Sequence, residues 1–140
     1  MELKKIVVGY DGSESSRNAV EWAVGLTSKL KNDIVVVSVV KLPEFSSSID
    51  EIDEAYADGE KQYRSLLEKI VEYGKKQGVS IETEILRGHP AESIVRYAFD
   101  CKADLIVMGT RGMGGFKNLI IGSVAQKVVW YSKVPVLIIK

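Results

Sequence analysis

The sequence predicts an α/β fold: a Rossmann-like three-layer sandwich with a parallel sheet and helices on both faces. Short apolar runs alternate with amphipathic stretches four times, and one further apolar run follows, which gives five predicted strands. Such alternation is typical of parallel strands joined by right-handed crossovers. Several runs are apolar almost throughout, as expected for strands buried on both faces. The length of 140 residues suits one domain spanning 1–140, because no linker or repeat divides the chain.

The first strand and helix are predicted at the start of the chain. "KIVVGY" (5–10) is a short β-branched run, as in a buried strand. "DGSES" follows, with turn residues and with helix N-cap candidates at Ser13 and Ser15. Residues 16–31 then place apolar side chains at helical spacing, which predicts an amphipathic helix.

The next segment predicts a buried strand, a polar loop and a long helix. "DIVVVSVV" (33–40) is apolar on both faces, and 41–50 contains a proline and three serines. The Glu- and Lys-rich stretch 51–78 predicts a helix that ends at Gly78. We expect Gly59 to interrupt the first half of this helix, because glycine is a weak helix former.

The second half of the chain supplies three strands and two helices. "VSIETEIL" (79–86) alternates apolar and polar residues, which predicts a strand nearer a sheet edge. A helix is expected to start at Pro90, a favoured first-turn residue, with His89 as a loop or cap residue. "ADLIVMG" is the next buried strand, "SVAQKVVWYS" a short helix, and "VPVLIIK" the last strand.

The most unusual stretch is "GTRGMGGFKNLIIGS" (109–123), which has five glycines in fifteen residues directly after a buried strand. In a parallel α/β sheet, ligands bind outside the carboxyl ends of the strands, where this stretch is predicted to lie. Gly122, Ser123 and Val124 would present backbone N–H groups at a helix N-terminus, a setting that favours phosphate. Ser123 could add its hydroxyl, or serve simply as an N-cap.

Familiar phosphate-binding patterns do not match. "GGFKN" lacks the G-K-[ST] ending of a Walker loop. "GYDGSES" does not supply the dinucleotide fingerprint G-x-G-x-x-G after the first strand. "EILRG" offers no aspartate of the kind that closes the third strand of a phosphate-accepting receiver domain.

The spacing that is present is Gly109-x2-Gly112-x9-Gly122-Ser123. Nearly the whole chain resembles the ATP-binding branch of the universal stress protein family. The resemblance rests on this glycine spacing and on three stretches, "IVVGYDGSESSRNAVEWA", "GHPAESIVRYAFDCKADLIVMGTRG" and "GSVAQKVVWYSKVPVLIIK". The resemblance implies a sheet of order 3-2-1-4-5. Ser38 stands where the family commonly has histidine, which leaves the detail at the second strand open.

The resemblance also implies a site for ATP. Asp11 is expected near the ribose and Val39 beside adenine through its backbone, with Met108 lining the pocket. The residues expected against the ribose and triphosphate are Gly109, Gly112, Gly122, Ser123 and Val124. Four of these residues also have a structural explanation. Asp11 could form a turn, Val39 could be a core residue, and Gly109 and Gly112 could each form a tight turn. Arg111 and Lys117 could neutralise phosphate charge or lie solvated on the surface.

Three functions remain open at this stage. A nucleotide-binding regulatory protein fits the glycine loop, and slow hydrolysis is expected because no general base is evident. The alternatives are an ATP hydrolase or phosphotransferase with partner-dependent activity, and a ligand-free dimeric scaffold. Mg²⁺ or Mn²⁺ would be held mainly by the phosphates. Family resemblance also implies a homodimer through the last strand, whose apolar edge would otherwise invite aggregation.

Composition narrows the class of partner. Nineteen basic residues balance nineteen acidic ones, so no basic excess points to nucleic acid or anionic membrane. No apolar run approaches the roughly 20 residues of a membrane span, and the start of the chain lacks the apolar run of a signal peptide, so we expect a cytoplasmic protein. The single cysteine, Cys101, is expected to be a small residue packed at a helix end.

Overall fold

The computed structural model describes residues 2–42, 48–110 and 121–140. In these ranges strands and helices alternate along the chain, as predicted. The elements are β1 (Lys5–Gly9), α1 (Glu14–Leu30), β2 (Asp33–Lys41), α2 (Ile49–Lys76), β3 (Ile81–Gly88), α3 (Pro90–Asp100), β4 (Leu105–Gly109), α4 (Ser123–Tyr131) and β5 (Val136–Ile139).

The strands form one parallel five-stranded sheet of order β3-β2-β1-β4-β5, which confirms the predicted fold class. β1 lies at the centre, where Val7 pairs with Val35 of β2 on one side and with Ile106 of β4 on the other. Strand order therefore reverses between β1 and β4. In open α/β sheets this reversal opens a crevice at the carboxyl ends of the two strands.

Each face of the sheet packs against two helices. Alternate residues of β1 divide between the faces: Ile6 and Val8 pack with α1 and α2, whereas Val7 packs with α3 and α4. Apolar side chains on both faces explain why β1, β2 and β4 are hydrophobic almost throughout. The core fixes the strand ends, and the strand ends position the candidate site.

The boundaries of several elements differ from the predicted ones. α1 begins at Glu14 because Ser13 is its N-cap and accepts a hydrogen bond from the Ser16 N–H. α2 begins at Ile49, two residues before the predicted start, and runs unbroken through Gly59, so the expected interruption is wrong. The physical reason is packing, since α2 presses Gly59 against the side chain of Val40.

The two edges of the sheet have different chemistry. β3 lies at one edge, as its alternating pattern predicted, and exposes Glu82, Thr83 and Glu84. β5 lies at the other edge, and its four residues, "VLII", are all apolar and partly exposed.

Within the described ranges, no helix combines the length and apolar character needed to cross a bilayer.

Candidate functional site

The candidate site lies at the carboxyl ends of β1 and β4, the point of strand-order reversal. The loop after β1 leads into the N-terminus of α1, and the chain after β4 leads towards the N-terminus of α4. The N-termini of both helices are therefore at the carboxyl edge of the sheet. Helix N-termini carry partial positive charge and unpaired N–H groups, so this edge favours an anion.

Asp11 lies in the loop after β1, separated from the strand by Tyr10, and organises the start of α1. One of its carboxylate oxygens, Oδ1, accepts hydrogen bonds from the Ser13 N–H at 3.0 Å and the Ser16 hydroxyl at 2.9 Å. The turn suggested as the structural alternative for Asp11 is therefore present. This turn places the Asp11 carboxylate at the carboxyl edge of the sheet.

β2 is tied to the end of β1 by Ser38. The buried Ser38 hydroxyl donates a 2.7 Å hydrogen bond to the Tyr10 carbonyl, one residue before Asp11. Val39 follows, and its side chain is buried in the core on the α3 and α4 face. Its backbone, the part expected to meet adenine, lies near the carboxyl end of β2, where Val39 pairs in register with Leu86 of β3.

Gly109 ends β4 and packs directly on the first turn of α1. A Cβ at this residue would lie 2.5 Å from the Ser15 carbonyl oxygen and 2.6 Å from the Ser15 carbonyl carbon. Glycine is thus required here by internal packing between β4 and α1. The preceding residue, Met108, is buried in the core of the α3 and α4 face, so its side chain is chiefly a packing group.

The N-terminus of α4 is joined to the end of β4. The Gly122 N–H donates a hydrogen bond to the Thr110 carbonyl, and Gly122 is the N-cap residue of α4. Ser123 is the first helical residue and is exposed, so the N-capping role considered for its side chain is wrong. The first hydrogen bond within α4 runs from the Gln126 N–H to the Gly122 carbonyl. The N–H groups of Ser123 and Val124 precede it and have no acceptor within the helix.

Comparison with known proteins identifies the family. The model of the "Universal stress protein family" matches residues 2–140. The chain belongs to the universal stress protein family.

Relatives of this family align over nearly the whole chain. A universal stress protein of Methanocaldococcus jannaschii is 35% identical over 142 residues, covering 98% of this chain and 82% of that protein. The structure of UspA from Lactobacillus plantarum matches with a TM-score of 0.92 at 22% identity, covering 100% and 99% of the two chains, which shows the shared fold. A universal stress protein in complex with cAMP matches with a TM-score of 0.72 at 26% identity, covering 98% and 97%.

Several residues expected at this universal stress protein site lie outside the described residues: Arg111, Gly112 and Lys117. The described ranges hold no group of three or more His, Cys, Asp or Glu side chains that could bind a metal ion. His89 is the N-cap residue of α3 without a side-chain capping bond, and Cys101 is its C-cap residue, both as predicted.

Sequence patterns missed three residues at this edge. Ser15 and Thr110 are 95 residues apart in sequence, yet their hydroxyl oxygens lie 3.4 Å apart. Tyr63 of α2 is the third. Burial raises the pKa of its phenol, and the charges of Asp11 and then Tyr10 raise it further. Leu66, one turn later on the same helix, contacts Gly12 in the β1–α1 loop. Only the fold brings these residues together, so no local motif could identify them.

A separate groove of about 610 Å³ runs between α2 and the outer edge of β3. Most of its lining side chains are charged, among them Glu60, Arg64, Glu68 and Glu72. It is not at the carboxyl ends of β1 and β4. We therefore assign the candidate site from the strand ends and helix termini, because these provide the chemistry that a phosphate requires.

Proposed function

We propose that this universal stress protein binds an adenine nucleotide, with ATP as the principal ligand, and acts as a regulatory module with slow or no hydrolysis. The observation that supports this most is the position of the α4 N-terminus beside the end of β4, next to central β1. A helix dipole and unpaired backbone N–H groups, placed where strand order reverses in a parallel sheet, suit a phosphate chain.

The described residues fit such a ligand in a definite way. The N–H groups of Ser123 and Val124, with the exposed Ser123 hydroxyl, would hold phosphate oxygens. The Gly122 N–H would not, because the Thr110 carbonyl already accepts it. Gly122 would instead keep the approach to the helix clear of a side chain. Asp11 would meet the ribose and the Val39 backbone the base, with Gly109 and Met108 supporting the pocket, and Arg111 and Gly112 completing the phosphate loop.

One of the similar solved structures supports an adenine nucleotide over another anion. A relative 26% identical to this chain is a complex with cAMP, which shares adenine, ribose and phosphate with ATP. Mg²⁺ or Mn²⁺ would be held mainly by the phosphates. The absence of an evident general base among the candidate residues favours binding over rapid turnover.

We also propose a homodimer formed through β5. This strand pairs with β4 on one side, and its other side lies at the sheet edge with four apolar residues. An apolar edge with unpaired backbone groups is a template for another strand. The β3 edge, by contrast, carries two exposed glutamates that oppose such pairing.

The test of nucleotide binding is to purify the protein, denature it, and identify released nucleotide by chromatography and mass spectrometry. We expect ATP at about one per chain if the site is filled during expression. If none is released, calorimetric titration with Mg-ATP follows, and failure of both would refute the proposal. The ATP-to-ADP ratio followed over hours separates a binder, in which it stays constant, from a hydrolase.

A further inference from the structure

Helix α2 packs against the end of β2 and against the loop after β1, beside the candidate site. Gly59 packs on β2: a Cβ there would lie 2.5 Å from the Cγ1 atom of Val40. Two turns later, the Cδ1 atom of Leu66 lies 3.2 Å from where a Cβ would stand at Gly12. Val40 and Gly12 are the immediate neighbours of Val39 and Asp11, the residues proposed to meet the base and the ribose.

The contacts of α2 follow one face of the helix. Gly59, Tyr63 and Leu66 are spaced i, i+4 and i+7, so they point in the same direction. Tyr63 stands between the other two, and burial, followed by the charge of Asp11, raises the pKa of its phenol. This face of α2 therefore runs from the end of β2 to the loop after β1.

Arg87 links the first half of α2 to the sheet through two side-chain contacts. Arg87, near the end of β3, pairs in register with Val40 of β2. Its guanidinium lies 4.9 Å from the ring centroid of Tyr56 and donates a hydrogen bond to the Glu60 carboxylate. Tyr56 is buried and Glu60 is partly buried. Tyr56 lies about one helical turn before Gly59, and Glu60 directly follows Gly59. Arg87 thus fixes the part of α2 that contacts Val40.

We propose that α2 forms the wall of the nucleotide site on the base and ribose side, and that Arg87 is the positioning residue that holds this wall against the sheet. The inference rests on the proposed nucleotide binding and adds a residue to which neither the sequence nor the family resemblance gave a role. Arg87 acts through Tyr56 and Glu60, and the phosphates, which lie on the β4 and α4 side, are independent of it.

The test compares Arg87→Ala with Arg64→Ala in the full chain. Arg64 is an exposed arginine of α2 near Glu60, so its replacement makes the same change in charge without breaking the contact with Tyr56. Calorimetric titrations use ATP, AMP and inorganic tripolyphosphate. We expect Arg87→Ala to lower the affinities for ATP and for AMP by the same factor. This factor is about five-fold for the loss of an exposed ion pair with a stacked ring. Tripolyphosphate affinity should not change, and Arg64→Ala should bind all three as the wild type does.

Further variants make the result specific to the proposed contact. Arg87→Lys should recover part of the affinity, because it keeps the charge but lacks the planar fork. Hydrogen exchange should rise over residues 49–60 in Arg87→Ala and not in Arg64→Ala, which reports release of the helix directly.

The outcomes distinguish this inference from the proposed function. If the wild-type protein binds neither ATP nor AMP, the proposed function fails and the inference fails with it. If the wild type binds but Arg87→Ala binds equally well, only the inference is overturned. A loss of tripolyphosphate affinity equal to the loss for ATP would also overturn it, because the change would then be a general loss of structure.

Discussion

Gly109 shows why a glycine at a candidate site requires a structural explanation before a functional one. The backbone of Ser15 occupies the space in which a side chain at Gly109 would begin. Glycine at this residue is therefore explained by the contact of β4 with α1, whether or not a nucleotide is present. Gly122 is a different case, because its φ of −75° and ψ of 165° are open to other residues. Gly122 is the better probe of ligand contact.

Replacing Gly109 by alanine should destabilise the fold. The new Cβ would meet the Ser15 backbone, which cannot move as a flexible side chain can, and overpacking of this kind costs about 1–3 kcal/mol. Gly25→Ala is the matched control: it lies in α1 with no atom within 4 Å of the new Cβ. Alanine there should raise stability by about 0.5–1 kcal/mol, because glycine weakens a helix interior. Urea denaturation measures both, and equal stabilities would contradict the packing argument.

Replacing Gly122 by valine should remove nucleotide binding and keep the fold. Valine can adopt the backbone angles of Gly122, but its branched side chain would stand where phosphate must approach the α4 amides. Titration with Mg-ATP measures the affinity, and circular dichroism checks the fold. Gly25→Val, in open space on α1, is the control and should bind as the wild type does. Tight ATP binding by a folded Gly122→Val protein would refute the assignment of the phosphate site.

The sequence placed Asp11 and Ser123 correctly at strand and helix ends, because the patterns that mark the ends of strands and helices are local. It could not show that the Gly122 N–H is taken by Thr110, since that bond joins the N-terminus of α4 to the end of β4 in three dimensions. Nor could it show the contact of Ser15 with Thr110, which joins residues 95 apart. Local patterns thus predict which residues stand at the carboxyl edge, whereas tertiary packing decides which of their atoms remain available to a ligand.

At the scale of elements, α2 departs most from its prediction. A glycine in a helix interior costs about 1 kcal/mol relative to alanine, which suggested an interruption at Gly59. The helix nevertheless continues from Ile49 to Lys76. Close contact of Gly59 with Val40 and the attachment of Tyr56 and Glu60 to Arg87 offset that cost. Sequence propensity could not include these contacts, because they come from β2 and β3.

The attachment of α2 should depend on pH in a predictable direction. The hydrogen bond from Arg87 lowers the pKa of Glu60 below its ordinary value of 4.5. A lowered carboxyl pKa means that the contact stabilises the fold fully above pH 4.5 and that this contribution is lost as pH falls through the lower, folded-state pKa. Wild type should therefore be more stable than Glu60→Gln at pH 7, and the difference should vanish in acid.

The measurement is urea unfolding of the two proteins at neutral and acidic pH. The contribution will be modest, because an exposed ion pair is screened by water and salt. A difference in unfolding free energy that is the same at both pH values would show that the charge of Glu60 has no part in holding the helix. High salt should reduce the difference at neutral pH, which provides an independent check.

At the scale of the whole molecule, the sheet has one protected edge and one that invites a partner. β3 carries exposed charge, whereas β5 is apolar and follows a helix end with exposed Val129, Trp130 and Tyr131. The order of the strands, implied by the family resemblance, is confirmed, and it is this order that puts β5 at the edge. The sequence alone identified the apolar strand but not the aromatic side chains beside it.

Replacing Ile138 by proline should give a monomer that still binds nucleotide. The Ile106 N–H donates to the Pro135 carbonyl, and in a parallel ladder this pattern turns the N–H groups of Val136 and Ile138 away from β4. Proline at Ile138 therefore removes a donor from the outer edge only. Analytical ultracentrifugation should find a dimer for wild type and a monomer for the variant. A wild-type monomer, or a variant that remains dimeric, would contradict pairing through β5.

The central place of β1 in the sheet has a consequence for the synthesis of the chain. β1 leaves the ribosome well before its neighbour β4, which follows about a hundred residues later: the Asp104 carboxylate accepts from the Lys4 N–H across 100 positions. Until β4 and α4 emerge, the nascent chain has Asp11 but lacks the opposite side of the crevice. Nucleotide capture at the proposed site would therefore have to await the synthesis of β4 and α4, and a truncated translation product that stops before β4 would be unable to compete for the cell's ATP.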